Sequence, residues 1–495
     1  MSKEQKSYRE IFKATSLFGG VQVLNIVIAV VRSKFVAVLL GPTGMGITGL
    51  FYSTTEFIGR LTNFGLGTSA VKNVAEAAAT GDEEKIVRVV SVLRKLVWIT
   101  GMLGLVATAA FSPLLSRITF GNSDYTVAFI WISVTLLFQQ LTSGQLVILQ
   151  GLRKLQYLAK ANLLGSVLGL VIIIPLYYYL RIGGIVPAII LIAVANLLLS
   201  WYFSSKVGVK SAKVSTQDTY TEGKDMMKMG FLLSMSVLIT AGASYLIRIF
   251  ISNKGGVDDV GLYNAGFAII NTYVGMIFTA MGTDYYPRLS AVSNDNSKSA
   301  KLINQQAEIA ILILAPILAV FLIFINWVII ILYSNKFLAV NEMIHWAALG
   351  MFFKAMSWSI AYVFIAKGAA KLFFWSELIS NINMLLLNIA GYYLAGLEGL
   401  GISFLAGYLV YLLQVYFIAR FKYSFRFDKV FVKVATIQIA LGVACFLILR
   451  TLETPWTYLA GSAIIALSAV YSFIELDKRI GIKEIVRNQI KRFVK

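Results

Sequence analysis

The chain is 495 residues long, 58% apolar and only 14% charged, with a formal net charge of +20. A soluble domain carries about 25% charged residues, so a deficit sustained over the whole length excludes an ordinary water-soluble globular protein. One cysteine, Cys445, and one histidine, His345, exclude an intramolecular disulfide and supply no His/Cys cluster, so no metal and no cofactor is expected.

Met1 to Ser16 is polar and basic and lacks the short apolar core and small-residue cleavage site of a secretory signal, so the first helix is expected to be retained. Beyond it the apolar stretches come at membrane-crossing length, roughly 20 residues each. We read fourteen: 16–40, 44–66, 96–116, 124–150, 157–180, 183–203, 229–252, 260–286, 307–333, 340–366, 373–395, 398–420, 430–450 and 455–475. Helices satisfy their own backbone hydrogen bonds in lipid, and the period-2 alternation of a membrane β-barrel is absent. The expected fold is therefore an all-α polytopic membrane protein of about fourteen transmembrane helices. Residues 70–95 read as two short amphipathic helices broken at Thr80-Gly81, with Asp82 as N-cap. Residues 476–495 form a basic amphipathic tail, with Ile482, Ile485, Val486, Ile490 and Phe493 on one face.

Lys and Arg set the orientation. With both termini cytoplasmic, the inner segments hold 34 of the 44 basic residues. The outer loops hold five: Arg117, Arg181, Lys254, Lys336 and Arg450. Arg32, Lys34, Arg60, Arg248 and Lys354 fall inside spans. The positive charge is thus a topological signal and an attraction to anionic membrane lipid; it calls for no nucleic acid.

An internal repeat runs through the chain. At an offset of 215–216, Val30 to Phe35 meets Leu246 to Phe250, laying Arg32 over Arg248; Gly41 meets Gly256, Gly46 meets Gly261 and Thr68 meets Thr283. At 217, Gly151 to Leu155 meets Gly368 to Leu372, and Gly184-Ile185 meets Gly401-Ile402. An offset of six helices keeps equivalent segments in one orientation, so the expectation is two parallel six-helix repeats forming two lobes able to rock about a central cavity. The organisation is an N-lobe at 1–203, a cytoplasmic linker at 204–228, a C-lobe at 229–420, two extra helices at 421–475 and the tail at 476–495.

These residues carry a resemblance. Val30-Val31-Arg32-Ser33-Lys34-Phe35, the run from Leu39 to Phe51, Phe64 to Val71, Thr80-Gly81-Asp82, Ile148 to Lys154 and Gly183 to Ile185 resemble the lipid-linked polysaccharide (O-antigen) flippases of the multidrug/oligosaccharidyl-lipid/polysaccharide exporter superfamily. The resemblance covers nearly the whole chain. It implies a bacterial inner-membrane flippase, not an enzyme, with a twelve-helix two-lobed core. Its cargo would be undecaprenyl-pyrophosphate-linked saccharide, carried to the outer leaflet by alternating access, with coupling to a proton or sodium gradient left open. Membrane lipids and the polysaccharide polymerase machinery are the implied partners. A small-molecule antiporter of the same superfamily is the alternative. Gly44 to Gly49 spells the dinucleotide pattern G-x-G-x-x-G, but it follows a membrane span rather than a strand, and reads as a turn that lets helices pack closely.

The remaining chemistry lies in charges inside spans, which usually face a cavity or a partner. Arg32, Lys34, Arg60 and Arg248 are the candidate substrate-binding cations, because guanidinium forks match phosphate oxygens. Snorkelling or ion pairing, such as Glu56 with Arg60, is the other reading. Glu56 and Asp284 are candidate ion-coupling carboxylates, and Glu377 is the third embedded acid, with Lys354 as its expected partner.

Overall fold

The computed structural model describes residues 3–209, 212 and 214–480; the tail expected at 476–495 lies mostly outside them. Among the described residues every regular element is a helix. In chain order they are α1 (Lys3–Thr62), α2 (Leu66–Thr80), α3 (Glu83–Ala110), α4 (Ser112–Phe120), α5 (Thr126–Gly151), α6 (Leu155–Leu180), α7 (Ile185–Ser205) and α8 (Thr216–Gly255). There follow α9 (Val257–Phe267), α10 (Met276–Ala291), α11 (Asn296–Leu332), α12 (Asn341–Ala366), α13 (Ala370–Tyr423), α14 (Lys429–Thr451) and α15 (Trp456–Ile480).

Among the described residues, eleven continuous stretches are long and apolar enough to cross a membrane. Three of them, Leu24–Thr62, Leu155–Ser205 and Ala370–Tyr423, are 39, 51 and 54 residues long. Each is broken by a backbone kink and holds two crossings of the roughly 20 residues a bilayer requires. The eleven stretches thus carry the fourteen crossings read from the sequence. The kink in α1 is at Gly41, whose φ of 69° is open to glycine at no steric cost, and Pro42 restarts the helix where its missing N–H is not needed. Large apolar side chains face outward from the helices, Trp131 at 61%, Ile331 at 68% and Leu394 at 81% exposure. Such a surface belongs in lipid rather than water.

Two compact units divide the chain, one running through Gly261 and the other beginning at Leu262, with Leu332–Ser334 assigned to the first. In the first unit α8 packs on α1, α2, α3 and α4. It starts at Thr216, thirteen residues before the span expected at 229–252, because the polar segment continues into the packing: Met226 is buried, and Gly223 lies against Leu96. Close backbone approach demands glycine where the start of α9 meets α1. A Cβ on Gly46 would stand 2.0 Å from the Val257 carbonyl oxygen, and one on Gly261 only 1.9 Å from that of Pro42. The break between α2 and α3 falls where the sequence puts it. Gly81 closes α2 at φ 71°, and the Asp82 carboxylate accepts from the N–H groups of Glu84 and Lys85.

In the second unit α12 packs most extensively on α13, and Leu314, Leu318 and Leu322 of α11 and Phe352 and Phe364 of α12 are almost wholly buried. Gly391 and Gly399 meet backbone to backbone across the kink of α13 at Ala395-Gly396.

The same backbone recurs in both units with a constant spacing of 215. α5 and α12 are each 26 residues long and start 215 apart. Arg153 and Gly368 both take positive φ, 55° and 67°. Lys154 at φ −81°, ψ 56° matches Ala369 at −81°, 58°, and Arg181 at 52°, −130° matches Gly396 at 56°, −135°. Gly41 and Gly256 keep the same spacing. The identity-based pairing of Gly151 with Gly368 therefore gives way to Arg153 with Gly368. Chain after α7 returns to α3, where the Ala212 N–H donates to Ser91 Oγ at 2.9 Å. Chain after α13 returns likewise to α11, where Asn304 bonds the Arg426 carbonyl and the Asp428 N–H, both at 3.0 Å.

Candidate functional site

A cavity of about 660 Å³ opens in the first unit among α1, α2, α5 and α7. From α5 come Gln139, Thr142, Ser143, Leu146, Val147 and Gln150. That spacing of three and four residues puts all six on one helical face. Asn196 joins from α7, and Arg32, Tyr52 and Glu56 from α1. Amides and hydroxyls both donate and accept, and Arg32 adds up to five donors in a rigid fork. The wall can therefore hold a ligand rich in oxygen acceptors and hydroxyls.

The second unit holds a cavity of about 710 Å³ walled by α10, α12 and α13. From α12 come Lys354, Ser357, Trp358, Ala361, Tyr362 and Ile365, again one face. Tyr408, Tyr411 and Glu377 join from α13 and Tyr286 from α10. Trp358 and Tyr362 pack edge to face with ring centres 5.0 Å apart. Tyr411 donates to Glu377 Oε1 at 2.7 Å. Lys354 Nζ donates to Asn271 Oδ1 at 2.7 Å, so its bond goes to Asn271 where Glu377 was expected. Asn271 sits in the π-helical turn Ala268–Val274 between α9 and α10, a widening often found at functional positions.

Of the residues singled out in the sequence, Arg32 and Glu56 line one cavity together. Arg60 is held by Glu56, with Nη2 to Oε1 at 2.8 Å and Nε to Oε1 at 3.0 Å. Asp284 is held by Arg288 at 3.1 Å. Both pairs are exposed i,i+4 contacts, a geometry worth about 0.3–0.5 kcal/mol. Arg248 folds back along α8, Nη1 donating to the Ser244 carbonyl at 2.7 Å and to the Ser244 hydroxyl. Lys34 is half-buried on α1. None of Lys34, Arg60, Arg248 and Asp284 is among the described lining residues of either cavity.

Sequence reasoning missed three features. Glu308, inside α11, bonds Arg479 of α15 at 2.6 Å, and Arg479 also holds Glu475 at 2.6 Å, tying the last helix to the core. The polar face of α5 and the aromatic face of α12 were also passed over. Their signal was present, as side chains of one chemical kind repeating every three to four residues inside an apolar span.

Polar and charged side chains gathered in cavities among membrane-length helices belong to a polytopic membrane protein. The chain matches the family described as polysaccharide biosynthesis protein over residues 35–342, and it belongs to that family. It is 22% identical over 394 residues to the lipid III flippase of Escherichia coli (strain K12), covering 76% of this chain and 90% of the relative. It is 24% identical over 405 residues to a putative O-antigen transporter of Shigella flexneri, covering 78% and 92%. Among solved structures, the lipid II flippase MurJ in an inward closed conformation superposes with a TM-score of 0.68 at 14% identity, over 94% of this chain and 99% of that one. An inward-facing multidrug resistance MATE transporter of the MOP superfamily gives 0.68 at 18% identity, over 81% and 94%. The chain shares the fold of these two structures.

Proposed function

We propose that the protein flips a polyprenyl-pyrophosphate-linked saccharide, of the undecaprenyl type, from the cytoplasmic to the periplasmic leaflet of a bacterial inner membrane. The observation that carries this reading is the first cavity. There Arg32 stands among Gln139, Thr142, Ser143, Gln150 and Asn196. A guanidinium recognises a pyrophosphate through bidentate bonds, while amides and hydroxyls match sugar hydroxyls. The names of the two relatives point to the same class of cargo.

On this reading both termini are cytoplasmic, and Lys34, Arg60 and Arg248 add positive charge that draws the headgroup in. Lobes at 1–203 and 229–420 rock during each cycle. The contact of Pro42 and Gly46 with Gly261 and Val257 is then the place that parts when the outer side opens. If an ion gradient drives the cycle, Glu56 is the carboxylate placed to sense cargo, and Asp284 is a second candidate. The flipped product passes to polymerase machinery at the outer face.

A second reading, export of small organic molecules, follows from the MATE likeness. Organic cations call for acidic linings, and each cavity here is lined by one base as well as one acid, Arg32 and Glu56 in the first and Lys354 and Glu377 in the second, so neither lining carries a net negative charge. Surface polysaccharide in a strain lacking its own lipid-linked saccharide flippase separates the two. The wild-type protein should restore it. Arg32→Ala and Arg248→Ala should abolish restoration at unchanged membrane levels, with Arg32→Lys restoring it partly because the ammonium lacks the fork. Failure of the wild type to restore polysaccharide, with resistance to an organic cation in the same strain, would decide for the antiporter.

A further inference from the structure

The cavity of the second unit repeats that of the first at nine lining positions. Gly67, Gln139, Thr142, Ser143, Leu146, Val147, Gln150, Ala193 and Asn196 line one; the residues 215 further on line the other. At those equivalent places Ser143 becomes Trp358, Val147 becomes Tyr362, Ala193 becomes Tyr408 and Asn196 becomes Tyr411. The backbone does not require rings there, since the first unit builds the same helix pair without them.

We infer that this aromatic cavity is a subsite for a pyranose ring of the saccharide cargo, an assignment that rests on the flippase reading above. A pyranose has an apolar face of C–H bonds and a rim of hydroxyls. The C–H face suits the electron-rich faces of Trp358 and Tyr408, in the same way that one ring edge packs on another's face. The rim meets hydrogen-bonding groups on both sides. Glu377 uses one oxygen for Tyr411, and its second oxygen accepts from a sugar hydroxyl. Lys354 has three donors, one of which goes to Asn271. The volume of about 710 Å³ falls within the ~300–1,000 Å³ span of small-ligand sites.

The same arrangement argues against a cationic aromatic ligand. The Lys354 ammonium lies 5.2 Å from the Tyr408 ring centre and 5.7 Å from that of Phe404. Its charge repels a second cation at those rings. The first cavity, with its amides, hydroxyls and guanidinium, is left to the more polar part of the headgroup.

The test compares two probes on purified protein in lipid nanodiscs. One is undecaprenyl pyrophosphate; the other is the pool of lipid-linked saccharides extracted from cells that make the polysaccharide. The wild type should bind the glycosylated pool more tightly than the bare lipid. Trp358→Ala with Tyr408→Ala should weaken the pool about tenfold, the size of one or two lost stacking contacts, and leave the bare lipid within about twofold. Trp358→Phe with Tyr408→Phe keeps the ring faces, and should retain most of the preference and the monodisperse elution of the wild type. Equal weakening of both probes, or none, in a well-folded alanine variant would overturn the subsite while leaving the flippase reading standing. Wild-type protein that binds neither probe would overturn both.

Discussion

Gln139 and Lys354 stand at equivalent places on α5 and α12, and so do Ser143 and Trp358, and Asn196 and Tyr411. Around them the chain takes the same turns, down to the positive-φ residues Arg153 and Gly368 that follow the two helices. The two cavities therefore share a backbone and differ in their chemistry, hydrogen-bonding in one and aromatic in the other. The comparison teaches that the fold dictates where cavities form, because the helix crossings leave a gap there. What each gap accepts is then free to diverge, since a side chain that borders open space can change size and polarity without a clash.

The largest expected effect comes from exchanging the lining across the equivalence. Gln139→Lys combined with Lys354→Gln moves one cation between cavities without altering net charge. If the cavities hold different parts of the cargo, export should fall to background while the protein remains in the membrane. Export at the wild-type level would show the two sites to be interchangeable, and the division of labour would be wrong.

A moderate effect is expected where the two units cross their helices at different closeness. A Cβ at Gly399 would meet the Gly391 carbonyl oxygen at 1.9 Å, whereas at Gly184, 215 residues earlier, the Leu176 carbonyl oxygen lies 2.5 Å away. Overpacking costs about 1–3 kcal/mol. Gly399→Ala should therefore lower the melting temperature in detergent more than Gly184→Ala. Gly59→Ala, with nothing within 4 Å of the new methyl group, serves as the neutral control. Equal melting temperatures for the first two would mean that the second unit's helix crossing relaxes as easily as the first's.

The smallest concerns the caps that start equivalent helices. Asp82 opens α3 and Asp295 opens α11, the latter accepting from the N–H groups of Ser297 and Lys298 at 2.9 and 3.0 Å. Asp82→Ala should cost about 0.5–2 kcal/mol. The Lys298 backbone N–H, helped by the Lys298 side chain and the Ser297 N–H, holds the Asp295 carboxyl below its usual range. A depressed folded-state pKa contributes stability above the unfolded value, and that contribution is lost as pH falls through the folded one. Asp295→Asn should thus flatten the acid limb of a melting curve against pH slightly and leave the neutral end of that limb lower; an unchanged limb would show the cap to be idle.

Much of this was legible in one dimension. Composition and the lengths of the apolar runs determined a helical membrane protein with fourteen crossings, because lipid leaves the backbone few other ways to satisfy its polar groups. Gly81-Asp82 marked a helix boundary, because capping chemistry is local, whereas the turn read at Gly44 to Gly49 is helix in the structure and the backbone breaks at Gly41 instead. The repeat was visible too, though its register drifted from 215 to 217 where sparse glycine identities, rather than dihedral angles, had to set it. What only the tertiary structure decided is which charges meet which neighbours. Arg32 lines a cavity, Lys354 turns to Asn271 and Glu308 to Arg479, whereas the Glu56–Arg60 pair, four residues apart on one helix, was readable from spacing alone. A helical position specifies a direction around its axis, but its partner is set by the helix packed alongside, and that packing brings together residues as far apart as Glu308 and Arg479.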